Sequence, residues 1–333
     1  MYVAMVVDAR GYLLDTITDG DIRRAILAGI DLESPITVLR GRRDASLYPE
    51  PVTALEGTSR AAMIEIMQRQ QVRHLPITDS SGRLTRVVMR TDLFRSDGVS
   101  LEAVIMAGGY GTRLRPLTND IPKPMLPLGE KPLLEHIVTQ LKAAGINSIS
   151  VTTHYKKELI TDYFKDGSDF GIAISYVEES EPLGTAGALS LVKHSDGPLL
   201  VINGDIVTQI NFGAFLAFHE ENQAFVTVGV RQIETPIPFG VVESKGVDIT
   251  GITEKPVLSH FINAGVYVLS PEAIALIPKG QSSDMPDLIN NLVSAGKRVV
   301  GFPITEYWLD IGQIEDYRKV QEESGGTEER SDE

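Results

Sequence analysis

The chain has 333 residues, 42% hydrophobic and 23% charged, with a formal net charge of −14 and no cysteine; that length favours two domains over one. The acidic balance argues against a general nucleic-acid surface, which needs clustered cations to displace counterions, and the lack of cysteine removes disulfides and thiolate chemistry. No apolar run is long enough for a bilayer, and MYVAMVVDARGYLL at the start lacks a basic stretch before a long apolar one, so neither membrane nor secretion is expected and a cytoplasmic location is.

Two related units fill the first hundred residues, VAMVVDARGYLLDTITDGDIRRAILAG and RHLPITDSSGRLTRVVMRTDLFRSDG. In each, an apolar strand reaches an Asp, a Gly-containing turn follows (DARG, DSSG), and a second strand leads into helical material. Between them TSRAAMIEIMQRQ carries Ala62 with Ile66 and Met63 with Met67 as i, i+4 pairs, which predicts a helix packed on the strands. This arrangement resembles a pair of cystathionine-β-synthase (CBS) motifs over residues 1–98, a small α+β module whose first unit lacks the strand and helix that normally precede its hairpin. Either the chain is truncated or the module is incomplete. The resemblance implies adenosine-nucleotide binding through a Thr and an Asp three residues later. Thr18 and Asp21 have that spacing, whereas in the second unit Asp92 is present and Met89 replaces the Thr. One regulatory nucleotide site is expected, with a ligand-free dimerising module as the alternative.

SDGVSL (Ser96–Leu101) reads as a linker. After it AVIMAGG, SISVTTH, AISYVEE and PLLVINGD read as strands, while PLLEHIVTQLKAAG and KELITDYFKDG read as helices stopped at Gly. Alternating strands and helices predict a mostly parallel, Rossmann-like α/β sheet over residues 101–320, with ligands beyond the carboxyl ends of its strands. The tail from Gln321 to Glu333, QEESGGTEERSDE, offers nothing aliphatic or aromatic to bury and is expected to be disordered.

AVIMAGGYGTRLRPLTNDIPKPMLPL (Ala103–Leu128) places Gly108, Gly109 and Gly111 after the first of these strands, with Arg113, Lys123 and four prolines in the same segment. Glycines there let amides approach an anion. The Gly-Lys-Ser/Thr ending of a P-loop is missing, and the third glycine of the dinucleotide fingerprint falls at Leu114. GGYGTRLRPLT…PKP resembles the signature of sugar-1-phosphate nucleotidyltransferases, most of all mannose-1-phosphate guanylyltransferases. EPLGTAGAL, VINGD, TEKP, NAGVYVLSP and YWLDIG follow in that family's order.

The resemblance implies a GT-A-like domain joining a sugar 1-phosphate to a nucleoside triphosphate. By it, Arg113 and Lys123 neutralise the triphosphate, and Ala107, Gly108, Gly109, Gly111 and Thr112 contact it. Lys255 meets the sugar phosphate; Gly204, Glu254, Asn263 and Gly265 line the sugar pocket. Pro182, Leu183, Gly184, Thr185 and Gly187 cover the base, with Glu181 accepting from guanine. Asp205 and Asp310 would hold Mg²⁺, a hard ion suited to carboxylates. Trp308 stacks on the sugar or packs in the core, and His74, His136 and His154 show no metal-ligand spacing.

GTP and mannose 1-phosphate are the first expectation, in a homo-oligomer serving surface-glycan synthesis. Glucosamine or heptose 1-phosphate, or a uridylyl or thymidylyl transfer, are the enzymatic alternatives. A nucleotide-sensing protein with an inactive transferase domain is the alternative from another class. Many relatives continue into a left-handed β-helix, absent from this sequence, so a second acetyltransferase activity is not expected.

Overall fold

A computed structural model describes residues 3–40, 50–93 and 102–325, with backbone only at 40, 91, 92 and 323–325. The chain divides into two units, Met1–Val99 and Ser100–Glu333, and the expected linker, Ser96–Leu101, lies outside the described residues.

In the first unit, β1 (Val3–Val7) and β2 (Leu13–Thr18) form an antiparallel hairpin that runs into the helix Asp19–Leu27. β3 (Ala54–Leu55), β4 (His74–Thr78) and β5 (Leu84–Met89) make a three-stranded sheet. The two hairpin turns use one device. Asp8 Oδ1 accepts the N–H groups of Arg10 and Tyr12 at 2.8 and 2.9 Å, and Asp79 Oδ1 accepts those of Ser81 and Arg83, both at 2.9 Å. A bridge between Tyr12 and Arg83 joins the turns. The helix Arg60–Arg69 buries Met63 and Met67 against Leu75, Ile77 and Val88, as its periodicity predicts.

Thr18 and Asp21 are adjacent, but they are engaged with each other. Thr18 Oγ1 accepts from the Asp21 N–H at 3.2 Å, while the Thr18 N–H and hydroxyl donate to Asp21 Oδ2 at 2.8 and 2.7 Å. This capping box starts the helix Asp19–Leu27. Burial raises the Asp21 carboxyl, yet the bonds from Thr18 and Arg24 outweigh it and hold the group below its ordinary value. Asp92 lies in the short helix Arg90–Leu93, and its side chain falls outside the described residues.

The second unit is built on seven strands: β6 (Glu102–Met106), β9 (Ser148–Thr153), β10 (Ala173–Glu178), β11 (Leu199–Asn203), β13 (Val226–Pro236), β16 (Val257–Leu269) and β17 (Val299–Pro303). Their order is β10-β9-β6-β11-β16-β13-β17, parallel except where β16 runs against β11 and β13. Three short pairs lie outside it: β7 (Pro127–Leu128) with β8 (Lys131–Pro132), β12 (Ile206–Thr208) with β18 (Trp308–Asp310), and β14 (Val241–Lys245) with β15 (Asp248–Thr253).

The central strands are continuous apolar runs because both faces are covered. Ala103, Ile105, Leu200 and Ile202 enter one core with Leu134, Ile137, Leu141, Phe215 and Phe302, whereas Val104, Leu199 and Val201 enter the other with Leu269, Leu288 and Leu292. The helix Leu133–Ala143 buries Leu134, Ile137, Val138 and Leu141 and stops before Gly145 at φ +86°.

The expected disordered tail needs correction at its start. The helix Ile314–Gly325 runs through Gln321, whose amide donates to the Tyr317 hydroxyl at 2.9 Å. Tyr317 and Val320 are buried with Leu114, Leu126, Leu128 and Leu133. The apolar residues that fix this helix precede the polar stretch, so composition after 321 understated its order. Residues 326–333 lie outside the described set.

The core also holds a titratable histidine. His219, on the helix Phe212–Glu221, is 3% exposed with Nδ1 2.9 Å from Thr227 Oγ1, and burial pushes its pKa down to about 4. The folded state therefore binds this proton less readily than the unfolded chain, whose His pKa is about 6.5. Its stabilising share is full above about pH 6.5 and is lost as pH falls towards 4, on the order of 3 kcal/mol. Urea titrations at pH 7 and 4.5 should show the loss, and His219→Gln should flatten it.

Candidate active site

The glycine loop leaves β6 at the carboxyl edge of the sheet. The Ala107 N–H donates to Thr152 on β9, which fixes the exit direction. Gly111 has φ +61°, and a Cβ there would stand 3.0 Å from Thr118 Cγ2 and 3.2 Å from Lys123 Cβ. Only glycine permits that backbone and that approach together. Thr118 Oγ1 donates to the Gly111 carbonyl at 2.7 Å and closes the loop. The 3-10 turn Thr112–Leu114 then buries Leu114 and leaves Arg113 exposed, while a second such turn, Lys123–Met125, presents Lys123.

Opposite this loop, Gly204 links β11 to Asp205. Its N–H donates to the Met106 carbonyl at 2.9 Å, and a Cβ would stand 2.9 Å from that oxygen, so Asp205 is drawn close beneath the loop. Pairing of Ile206 with Asp310 across β12 and β18, and the Ile311 N–H bonded to the Asp205 carbonyl at 3.0 Å, bring in the second carboxylate. A cleft of about 220 Å³ results, lined by Ala107, Gly109, Gly111, Thr112, Arg113, Lys123, Gly204, Asp205 and Asp310 among others. Nine residues singled out in the sequence, scattered over two hundred positions, meet there.

Lys123 Nζ donates to Asp205 Oδ2 at 2.5 Å. Asp205 Oδ1 is buried with no hydrogen-bond partner among the described residues. Asp310 lines the cleft and is exposed to solvent. Desolvation and then Asp205 push its carboxyl up to about 6, against the opposing pull of Lys123 and Arg113. Among the described residues no cluster of three potential metal-binding His, Asp or Glu side chains occurs. The orphaned, buried Asp205 oxygen beside a second carboxylate nevertheless fits an oxygen-seeking divalent ion that takes its other ligands from water and phosphate.

The remaining sequence-selected residues do not line this cleft. Gly184 (φ +75°) and Thr185 are fastened to Ser283 and Asp284: the Thr185 N–H and hydroxyl donate to Asp284 Oδ1 at 3.0 and 3.3 Å, and Thr185 Oγ1 accepts from the Met285 N–H at 2.9 Å. Glu254 and Lys255 are exposed between β15 and β16, with Lys255 in the left-handed region at φ +45°. Asn263 accepts from the Gly265 N–H at 3.1 Å and donates to the Tyr267 hydroxyl at 2.7 Å, and Gly265 abuts Asn203, two residues before Asp205. Trp308 packs on the core and donates to the Ala264 carbonyl at 2.9 Å, so it fixes the backbone between Asn263 and Gly265.

Glu181 is exposed, whereas Glu179, passed over in the sequence, is 7% exposed. Its Oε2 accepts the Leu183 N–H at 3.0 Å, and a Cβ on Gly108 would stand 2.6 Å from its Oε1. The second Glu of AISYVEE, placed where a strand ends, was the available signal. Asp284 gave no local signal, since its partner lies 99 positions away.

A glycine loop at the carboxyl edge of a mostly parallel sheet, with two cations and two carboxylates beside it, marks the candidate site of this α/β domain. The sequence pattern of the family described as Nucleotidyl transferase matches residues 102–325, and a CBS domain pattern matches 46–98, the second of the two hairpin units. The chain belongs to the nucleotidyl transferase family. It is 36% identical over 226 residues to a mannose-1-phosphate guanyltransferase of Yarrowia lipolytica and 37% identical over 225 residues to a mannose-1-phosphate guanylyltransferase of Mycobacterium tuberculosis; each match covers 65% of this chain and 62% of the relative. The chain thus spans less than two thirds of those proteins. HddC from Yersinia pseudotuberculosis, in a structure complexed with GMP-PN, is 26% identical with a TM-score of 0.53, over 67% of this chain and 99% of that one. Among the described residues no helix is long and apolar enough to cross a membrane.

Proposed function

We propose that the protein joins a sugar 1-phosphate to a nucleoside triphosphate, with GTP and mannose 1-phosphate as the first pair, releasing a GDP-sugar and pyrophosphate. The observation that carries this is the meeting of Arg113, Lys123, Asp205 and Asp310 in one cleft against the glycine loop. An oxygen of the sugar phosphate attacks the α-phosphorus, the bond to the β-phosphate bridging oxygen breaks, and pyrophosphate leaves with its electron pair. The nucleophile is already largely ionised at neutral pH, since a phosphate monoester has a second pKa of about 6, so no protein base is needed. The work of the chain is to hold two polyanions in line and offset their charge. Arg113 and Lys123 do so on the triphosphate, and the glycine-loop amides approach it without a Cβ in the way. Asp205 and Asp310 would hold Mg²⁺, which supplies charge neutralisation at phosphate oxygens when bound. Glu254, Lys255, Asn263 and Gly265 are assigned to the sugar phosphate. Mass-spectrometric identification of the nucleotide sugar formed from GTP and a panel of hexose 1-phosphates tests the reading, and no product from any of them would refute it.

For the base, burial and the contact with Gly108 favour Glu179 over Glu181 as the carboxylate that accepts from guanine N1 and N2. Glu179→Gln should reduce the preference for GTP over UTP by about tenfold, through a misplaced donor, while Glu181→Gln leaves it unchanged. Competition assays with mixed triphosphates decide between the two.

The N-terminal unit is assigned a regulatory nucleotide, with a structural condition attached. A ligand at Thr18 and Asp21 has to share or open the capping box described above. Calorimetric titration of the full chain with AMP tests this, and light scattering tests the expected homo-oligomer.

A further inference from the structure

We propose that His154 is a positioning residue that ties the tip of the glycine loop, through Tyr110, to the start of the base-side loop at Glu179. The inference rests on the nucleotidyl-transfer reading, in which one nucleotide spans both loops. His154 follows β9 directly. Its Nδ1 lies 2.9 Å from the Glu179 carbonyl oxygen, and a carbonyl can only accept, so Nδ1 carries the proton. In the neutral ring Nε2 is then an acceptor, and the Tyr110 hydroxyl, 2.8 Å away, donates to it.

Tyr110 stands between Gly109 and Gly111 at the loop tip. A Cβ on Gly109 would meet nothing within 4 Å, so the tip has little packing of its own on that side. The Tyr110 ring instead meets the His154 ring edge-on, with centroids 5.4 Å apart at 87°, and leans on Tyr155 at 5.8 Å. Tyr155 is held in turn, its hydroxyl donating to the Asn119 carbonyl at 3.0 Å. At the other end Glu179 donates its N–H to the Thr153 carbonyl at 3.1 Å, accepts from Leu183 through Oε2, and lays Oε1 over Gly108. A single imidazole therefore fixes the distance between the loop that meets the phosphates and the loop that meets the base. Neither Tyr110 nor His154 lines the cleft, so neither touches the reacting atoms.

The test is a double-mutant cycle on the full chain. Tyr110→Phe removes the hydroxyl. His154→Asn retains a donor for the Glu179 carbonyl but has nothing to reach Tyr110. Each single variant should raise KM for GTP about fivefold, the worth of one hydrogen bond, with kcat within about twofold and KM for the sugar phosphate unchanged. The double variant should match the singles rather than multiply them. Unchanged KM for GTP, multiplicative effects, or equal rises for both substrates would overturn the inference. If the wild-type protein transfers nothing, the functional reading fails by itself, and ¹⁵N NMR of the His154 ring still decides the coupling. The proton on Nδ1 supports it; the proton on Nε2 overturns it.

Discussion

Asp205→Ala is expected to lower kcat/KM by roughly three orders of magnitude, with the fold retained. The carboxylate has one partner, Lys123, and a second oxygen that is buried and unpartnered among the described residues. A buried acceptor without a partner is costly to keep, and a bound cation is what would offset that cost. The backbone of Asp205 anchors Ile311 independently of its side chain. Truncation should therefore leave the thermal midpoint nearly unchanged while initial-rate pyrophosphate release collapses. Asp205→Asn should fare almost as badly, because an amide brings no charge to a cation. A variant that melted early and kept its rate would make Asp205 a structural partner of Lys123 and nothing more.

Lys123→Ala is expected to cost about two orders of magnitude in kcat/KM. The ammonium is delivered by a proline-flanked 3-10 turn whose neighbours Pro122 and Pro124 are buried, so its position is set by the backbone rather than by a flexible stem alone. In the free protein it is spent on Asp205; when a triphosphate arrives it has a second anion to serve. Lys123→Arg retains the charge but brings a planar fork into a slot beside Pro124 and Asp205, and should restore little. Steady-state rates with varied GTP check this, and a KM rise without a fall in kcat would assign Lys123 to ground-state binding.

The sheet was legible because its strands are short apolar runs that alternate with amphipathic helices, and Val104 and Ile105 show why no period of two marks them: successive residues enter different cores. The cleft was legible because the glycines after β6 and Asp205 after β11 stand just past strand ends, and Arg113 and Lys123 share the segment that follows β6. What the sequence hid is pairing at long range. Glu179, passed over in the sequence, is separated from the exposed Glu178 and Glu181 only by its burial and its closeness to Gly108. Thr185, assigned to the nucleotide, spends its side chain on Asp284. Thr18 and Asp21 show the same limit at short range: a spacing expected to hold a ligand also makes a capping box.

Pyrophosphate release, measured with five nucleoside triphosphates against several sugar 1-phosphates in the presence and absence of Mg²⁺, addresses the central claim that one sheet edge brings two mutually repelling anions together. The arrangement predicts release only when both substrates and the ion are present, matched mole for mole by nucleotide sugar, and fastest with GTP and a hexose 1-phosphate. No release from any pairing, by a protein that still binds the triphosphate, would contradict it.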